Sequence, residues 1–459
     1  MAAVIAEVDE FGAIKITGHG SAKSHGVKKG VITNIELAAK SIKKALNDAR
    51  RIAGNNISLA TVSISNAYAK SQSSSGIVNI PHKDISIKEI KRVMDTALYN
   101  ANIPNEYEVI HVLPYNFKVD DQDFIEDPYG MNATRMEVDT NIVITQKSSL
   151  SNLKKAVRSA GLEIEGIVLN SYASAIATMG EDEKELGVAV IDMGGQTSSM
   201  IVHVGNSIRY NDFLGVGSNH ITNDLSMALH TPLHIAEDVK TRYGNLLEVS
   251  SDTIELPVIG DEKNKNLISL EIVHSVILAR VEEALMILSK SLDKSALREQ
   301  IGAGVILTGG MTKLKGIREL AQAVFHGMPV RIAMPHGLGG LFEELKDPSY
   351  STVIGLLLYQ AGKHTQYEID NSKELLHHKE GISEEGIRDI ELGRQHMASE
   401  NRQSGARERN SVKSEASAST ESGMHKPAKE GIQFADLPVP EQGGGNLFGK
   451  IINWAKQLF

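Results

Sequence analysis

The residues best suited to chemistry in this sequence sit at two glycine turns. The apolar run Gly187 to Ile191 ends in Asp192-Met193-Gly194-Gly195-Gln196-Thr197. Glycines let a backbone approach a polyphosphate closely, and their successive N–H groups can converge on it. An aspartate at the strand end can hold Mg2+ through water, because Mg2+ keeps most of its hydration shell. The Thr197 hydroxyl can add a phosphate contact. A plain β-hairpin would use the same residues, so this motif alone leaves both readings open. A second turn repeats the plan: Val305-Ile306-Leu307-Thr308 runs into Gly309-Gly310-Met311 before a helix expected over Lys315 to Val324. Such a turn can admit a base or ribose against the backbone, or can simply join strand to helix. Glu237 and Lys240 stand three apart on an expected helix, hence on one face, where they can reach a ribose or pair with each other. With Gly215 and Gly217 these residues make up the candidate nucleotide set.

The elements that must position them follow from hydrophobic period and turn chemistry. Residues Ala3 to Ile16 read as two strands about a turn at Asp9 to Gly12. Asn34 is placed to cap a helix in which Ile35, Ala38, Ala39, Ile42, Ala45 and Leu46 recur at helical spacing. Ile57 to Ile64 alternates like a strand. Between Asn66 and Gln146 the texture changes: strand-like runs at Tyr107 to Leu113 and Arg135 to Ile144 flank one helix, Ile87 to Tyr99, which suggests a small α+β insertion. A helix over Ser149 to Ala160 and a strand near Ile164 follow. Ser199 to Val204 and Ser207 to Phe213 read as a hairpin about Gly205-Asn206. Ile221 to Leu229, Pro232 to Tyr243 and Leu270 to Ser291 read as helices, and Met200, Met227 and Met286 as core filler.

Bulk properties narrow the function classes. The chain has 459 residues, no cysteine and a formal net charge of −9. Disulfide frameworks, cysteine zinc sites and thiol catalysis are excluded, and the acidic balance argues against a general nucleic-acid binder. No apolar run is long enough to span a membrane. After about Gly362 the composition turns to Glu, Lys, Ser, Gly and Arg, which predicts a flexible linker.

The last residues are apolar again. On a helical wheel Leu447, Phe448, Ile451, Ile452, Trp454, Ala455, Leu458 and Phe459 share one arc of roughly 160°. Asn446, Gly449, Lys450, Asn453, Lys456 and Gln457 share the other. Aromatic residues suit the headgroup boundary, and Lys450 and Lys456 suit anionic lipid. The alternative is a helix that docks on the protein itself or on a partner.

Taken in order, Ile191-Asp192-Met193-Gly194-Gly195-Gln196-Thr197, Glu237 with Lys240, and Leu307-Thr308-Gly309-Gly310 resemble the actin, Hsp70 and sugar-kinase superfamily. Glu181 to Gly187, Ala321 to Phe325 and Tyr350 to Leu357 are more specifically similar to the bacterial cell-division FtsA family. The resemblance covers about residues 1–362 and the terminal helix. It implies an α/β actin-like ATPase fold of two lobes with an FtsA-type insertion subdomain. Residues 1–65, 147–187 and 339–362 would form the first lobe and 66–146 the insertion. Residues 188–225 with 300–338 would form the second lobe's core and 226–299 its outer subdomain. Residues 363–444 would be linker, and 445–459 a membrane-targeting helix.

The family further implies ATP and Mg2+ as cofactors, a self-polymer, and recruitment of the tubulin-like FtsZ to the cytoplasmic face of the inner membrane at the septum. Later division proteins would be partners too. Hsp70 chaperones would need a peptide-binding β domain, and small-molecule kinases have no use for a lipid-binding tail. The pilus-assembly actin-like proteins share the insertion but not the tail.

Two departures stand out. Met1 to Val8 matches what should be the second strand, so the first phosphate hairpin and its central strand are not found; the expectation is a protein that begins upstream of Met1. Gln196 replaces a third glycine and fewer carboxylates follow, which implies slow hydrolysis at most.

Overall fold

The computed structural model describes residues 1–8, 14–65, 68–205, 207–336, 338 and 342–377. The first lobe opens with β1 (Ala2–Val8) and β2 (Ile14–Ser21), paired antiparallel. The short pair β3 (Val27–Lys28) and β4 (Val31–Ile32) turns the chain into α1 (Ile35–Ala53). Asn34 starts that helix by accepting the Leu37 amide at 2.9 Å. Gly54, at φ 73°, ends it. Helix α1 lies directly on β2 because Gly18 and Gly20 carry no side chain. A Cβ there would stand 2.3 and 2.2 Å from the Ala49 and Ala45 carbonyl oxygens. Strand β5 (Leu59–Ile64) follows.

The insertion contains β6 (Lys70–Asn79), α2 (Ile87–Asn100), β7 (Tyr107–Val119), β8 (Gln122–Ile125) and β9 (Arg135–Gln146). Its antiparallel sheet runs β6-β9-β7-β8. A Ser86–Glu89 capping box starts α2, whose Ile90, Val93, Met94 and Ala97 are buried. Gly76 of β6 lets the helix approach, since a Cβ there would sit 2.3 Å from the Val93 carbonyl oxygen.

The chain returns to the first lobe through α3 (Lys147–Ser159), β10 (Glu163–Leu169) and α4 (Asn170–Thr178). It crosses by α5 (Glu181–Leu186) into the second lobe. There β11 (Val188–Met193), β12 (Ser198–Val204) and β13 (Ser207–Leu214) form a meander. Helices α6 (Ser218–Ala228) and α7 (Leu233–Tyr243), the hairpin β14 (Thr253–Val258) and β15 (Asp261–Ser269), and α8 (Leu270–Lys294) come next. Then β16 (Val305–Thr308), α9 (Ile317–Val324) and β17 (Val330–Ile332) complete a five-stranded sheet in the order β13-β12-β11-β16-β17. Helix α10 (Ser351–Gln360) packs back on α4 in the first lobe. The two helices touch backbone to backbone at Gly355, where a Cβ would stand 1.7 Å from the Ala173 carbonyl oxygen.

The two lobes repeat one plan with one difference. In the second, β11 lies between antiparallel β12 and parallel β16. In the first, β1 pairs only with β2 and β5 only with β10 among the described residues. Strand β16 is accordingly buried throughout, while β5 is half-buried over most of its length.

Two expectations are corrected. The chain does not become linker at residue 363: Tyr367, Glu368 and Ile369 are buried, and Ile369 bridges to Val112 of β7. Two apolar residues in a polar stretch give no compositional signal, yet both are anchored. Met227 and Met286 lie on exposed helix faces, while Met200 is in the core as expected. Residues 378–444 of the expected linker and the expected amphipathic helix, 445–459, lie outside the described residues. Among the described residues no helix is long and apolar enough to cross a membrane.

One buried group makes stability depend on pH. His203 of β12 is buried, and its Nδ1 has no partner among the described residues. Burial and the nearby Lys184 ammonium push it down to about 4. The folded state therefore holds His203 neutral, while the unfolded chain takes up a proton below the ordinary value of 6.5. That stability is present above pH 6.5 and is lost as the pH falls towards 4, by about 3 kcal/mol in all. Urea unfolding of His203→Gln should show a flatter pH dependence across this window than the parent; an identical slope would contradict the assignment.

Candidate functional site

The first glycine turn joins β11 to β12. The Gly194 amide closes it on the Thr197 carbonyl at 2.8 Å. Among the described residues, the amides of Gly195 and Gln196 have no acceptor, which is what an incoming phosphate requires. The turn's carbonyls are already engaged: Ser218 and Asn219, at the start of α6, donate to the oxygens of Gly194 and Gly195 at 3.0 and 2.7 Å. Gly217 makes that docking possible, since a Cβ there would lie 2.5 Å from the Gly194 oxygen. Gly215 lies against the Lys29 side chain of the first lobe. The Gln196 Oε1 accepts the Lys29 amide at 2.9 Å, so the residue that replaces a glycine bridges the lobes.

Asp192 sits where β11 ends, but deeper than expected. It is buried, and its Oδ2 accepts from Ser174 of α4 at 2.6 Å and Thr352 of α10 at 2.9 Å. Burial pushes its pKa up, and the two hydroxyl bonds oppose that rise. The other oxygen faces Gly309, whose Cβ would fall 2.4 Å from it. Gly309 has φ 90° and ψ 161°, a conformation essentially reserved for glycine. The two turns expected from the sequence are therefore in direct contact.

The remaining candidates divide. Gly310 opens a short turn, Gly310–Lys313, while the Met311 side chain points into the second lobe's core and not into the cleft. Lys240 is buried, with its Nζ donating to Ser218 Oγ at 2.7 Å, Thr222 Oγ1 at 2.9 Å and Glu237 Oε2 at 2.7 Å. Its role in the structure is to tie α7 to the start of α6, beneath the glycine turn. Burial would raise the Glu237 pKa, but hydrogen bonds from Lys240 and Thr222 hold it below the usual range. That carboxylate is half-exposed and stays available to a ribose. Ser174, Thr222 and Thr352 gave no sequence signal, because single hydroxyls in helices are common and mean nothing until a partner is known.

Mg2+ fits this donor set. Among the described residues no three histidines or carboxylates converge. A lone carboxylate, water and phosphate oxygens are the coordination Mg2+ accepts in nucleotide sites.

Residues 189–355 match the family model for cell division protein FtsA, and residues 66–144 match that for the SHS2 domain inserted in FtsA. The chain is 40% identical over 409 residues to cell division protein FtsA of Helicobacter pylori strain 26695, covering 82% of this chain and 83% of that one. The chain belongs to the FtsA family. It is also 36% identical over 366 residues to FtsA of Pseudomonas aeruginosa (79% and 87% covered) and 30% identical over 382 residues to FtsA of Escherichia coli K12 (81% and 90% covered). The solved PilM–PilN type IV pilus biogenesis complex aligns with a TM-score of 0.56 at 18% identity, over 78% of this chain and 96% of that one, a likeness of fold alone. The fold is thus the actin-like ATPase fold, with the FtsA-family insertion between β5 and α3.

Proposed function

We propose that this chain binds ATP with Mg2+, polymerises, and tethers FtsZ filaments to the cytoplasmic face of the inner membrane at the division septum, where it recruits later division proteins. The observation that carries the nucleotide half is that two glycine turns leave the C-terminal ends of the adjacent parallel strands β11 and β16, where Gly309 packs directly on Asp192 and Met193. In this reading the free amides of Gly195 and Gln196 hold phosphate, and Thr197 adds its hydroxyl. Asp192 orients water on the metal, Gly309 and Gly310 take the base or ribose edge, and Glu237 takes a ribose hydroxyl. Bound Mg2+ supplies charge neutralisation for the phosphates. Asp192 bonds to Ser174 and Thr352 of the first lobe, so a ligand that pulls on it also acts on the lobe contact. Hydrolysis is slow, since one carboxylate already held by two hydroxyls is a poor activator of water.

The tether half rests on family membership and on the apolar arc of residues 447–459. FtsZ would dock on the outer subdomain, 226–299, and later division proteins on the insertion. Anionic vesicles should carry FtsZ to the surface of a density gradient only when this chain is added.

A further inference from the structure

We propose that residues 363–377 are a strap that fixes the insertion to the first lobe and passes load from the C-terminal tail to that joint. The tail half of this proposal rests on the membrane reading above; the joint itself rests on geometry alone.

The strap turns at Tyr367, which has φ 61°, and bridges to β7 at Ile369, and the side chains at 367, 368 and 369 go to different partners. Two of them enter the insertion. Ile369 is wholly buried and exchanges both backbone hydrogen bonds with Val112 of β7, at 2.9 and 3.0 Å. Tyr367 packs edge-on against Phe117, and its hydroxyl donates to Asp127 at 2.6 Å. Glu368, between them, faces the first lobe and is completely buried. Its carboxylate meets His111 Nδ1 of β7 at 2.6 Å, the Tyr172 hydroxyl of α4 at 2.8 Å and the Tyr359 hydroxyl of α10 at 2.9 Å. The Leu169 amide of β10 donates to His111 Nε2 at 3.0 Å, which leaves the imidazole proton on Nδ1, aimed at Glu368. Asn371 then accepts the Ile167 amide of β10 at 2.9 Å.

One short segment thus bonds to β7 on one side and to α4, α10 and β10 on the other. The cluster around Glu368 is fully partnered, and a buried carboxylate that loses one partner costs far more than a frayed surface bond. Such a joint is docked or undocked, with little between. Undocking would also release a segment whose extended length is at most about 50 Å, and so lengthen the reach of the tail that leaves the strap at residue 377. A partner that moves the insertion would therefore lengthen the tether, and by reciprocity a pull on the tether would free the insertion.

The absence of cysteine permits a clean test on the full chain. Spin labels at Tyr99→Cys on α2, where the side chain is 84% exposed, and at Lys40→Cys on α1 report the distance between insertion and first lobe. Glu368→Gln places amide hydrogens against tyrosine donors. It should broaden the label distance distribution and raise amide exchange at least tenfold in the strap, β7 and β10, with β11 and β16 unchanged. Asn371→Ala should give the same pattern at smaller amplitude, and it decides the matter if Glu368→Gln does not fold. Unchanged distances in the folded variant, or faster exchange confined to the strap, would overturn the joint. Anionic vesicles should shift the same distribution in the parent chain. Vesicle binding without a shift would overturn the coupling. Absence of vesicle binding would instead overturn the membrane reading and, with it, the tail half of the proposal.

Discussion

Gly309→Ala is expected to weaken ATP–Mg2+ binding by at least 100-fold, about 3 kcal/mol. Two effects combine at this position. The backbone, at φ 90° and ψ 161°, lies where a side chain costs about 1–3 kcal/mol of strain. The added methyl would also stand 2.4 Å from the Asp192 carboxylate and 2.6 Å from the Met193 carbonyl oxygen. Neither neighbour can yield cheaply, because Asp192 is held by Ser174 and Thr352 and Met193 is in a central strand. Both glycine turns therefore shift together. Gly327→Ala provides the control: its φ is also positive, 80°, but nothing lies within 4 Å of the new methyl. It should lower the unfolding midpoint and leave nucleotide affinity unchanged. Isothermal titration of both variants checks this; retained affinity in Gly309→Ala would remove the second turn from the site.

Trp454→Glu is expected to cut partition onto anionic vesicles by about 100-fold. Withdrawing a large apolar side chain from the interface forfeits about 2–3 kcal/mol, and the new carboxylate is repelled by the lipid that Lys450 and Lys456 attract at about 1 kcal/mol each. Phe448→Glu should behave alike, whereas Asn453→Ala on the polar arc should bind as the parent does. Vesicle co-sedimentation reads all three, and unchanged binding in both glutamate variants would refute the membrane assignment.

What the sequence disclosed, and what it hid, has a physical pattern. The hairpin, α1, α8 and both glycine turns are legible because each shows its own period, cap or turn: Asn34, the Gly205-Asn206 pair, the paired glycines. Helix α4 was not, since it is buried nearly all round and has no polar face to set a phase. Strand β6 was missed because Lys70 to Ser75 is almost wholly polar and is held by its register with β9. The contents of the nucleotide set were readable, but their depth was not. Nothing local says that Asp192 is covered by hydroxyls from α4 and α10, or that Lys240, besides pairing with Glu237, is buried against Ser218 and Thr222. The strap is silent in the sequence for the same reason: Glu368 looks like one more linker carboxylate until His111, far away in sequence, is placed beside it.

Whether this chain links FtsZ to membrane, as the proposed function requires, is read most directly from co-flotation. FtsZ polymers are mixed with anionic vesicles, with and without the chain and ATP, and with a version ending at Gly445. FtsZ should float only with the full chain and ATP, and stay at the bottom with the shortened one. Full-length chain floating alone, with FtsZ left behind, would contradict the claim.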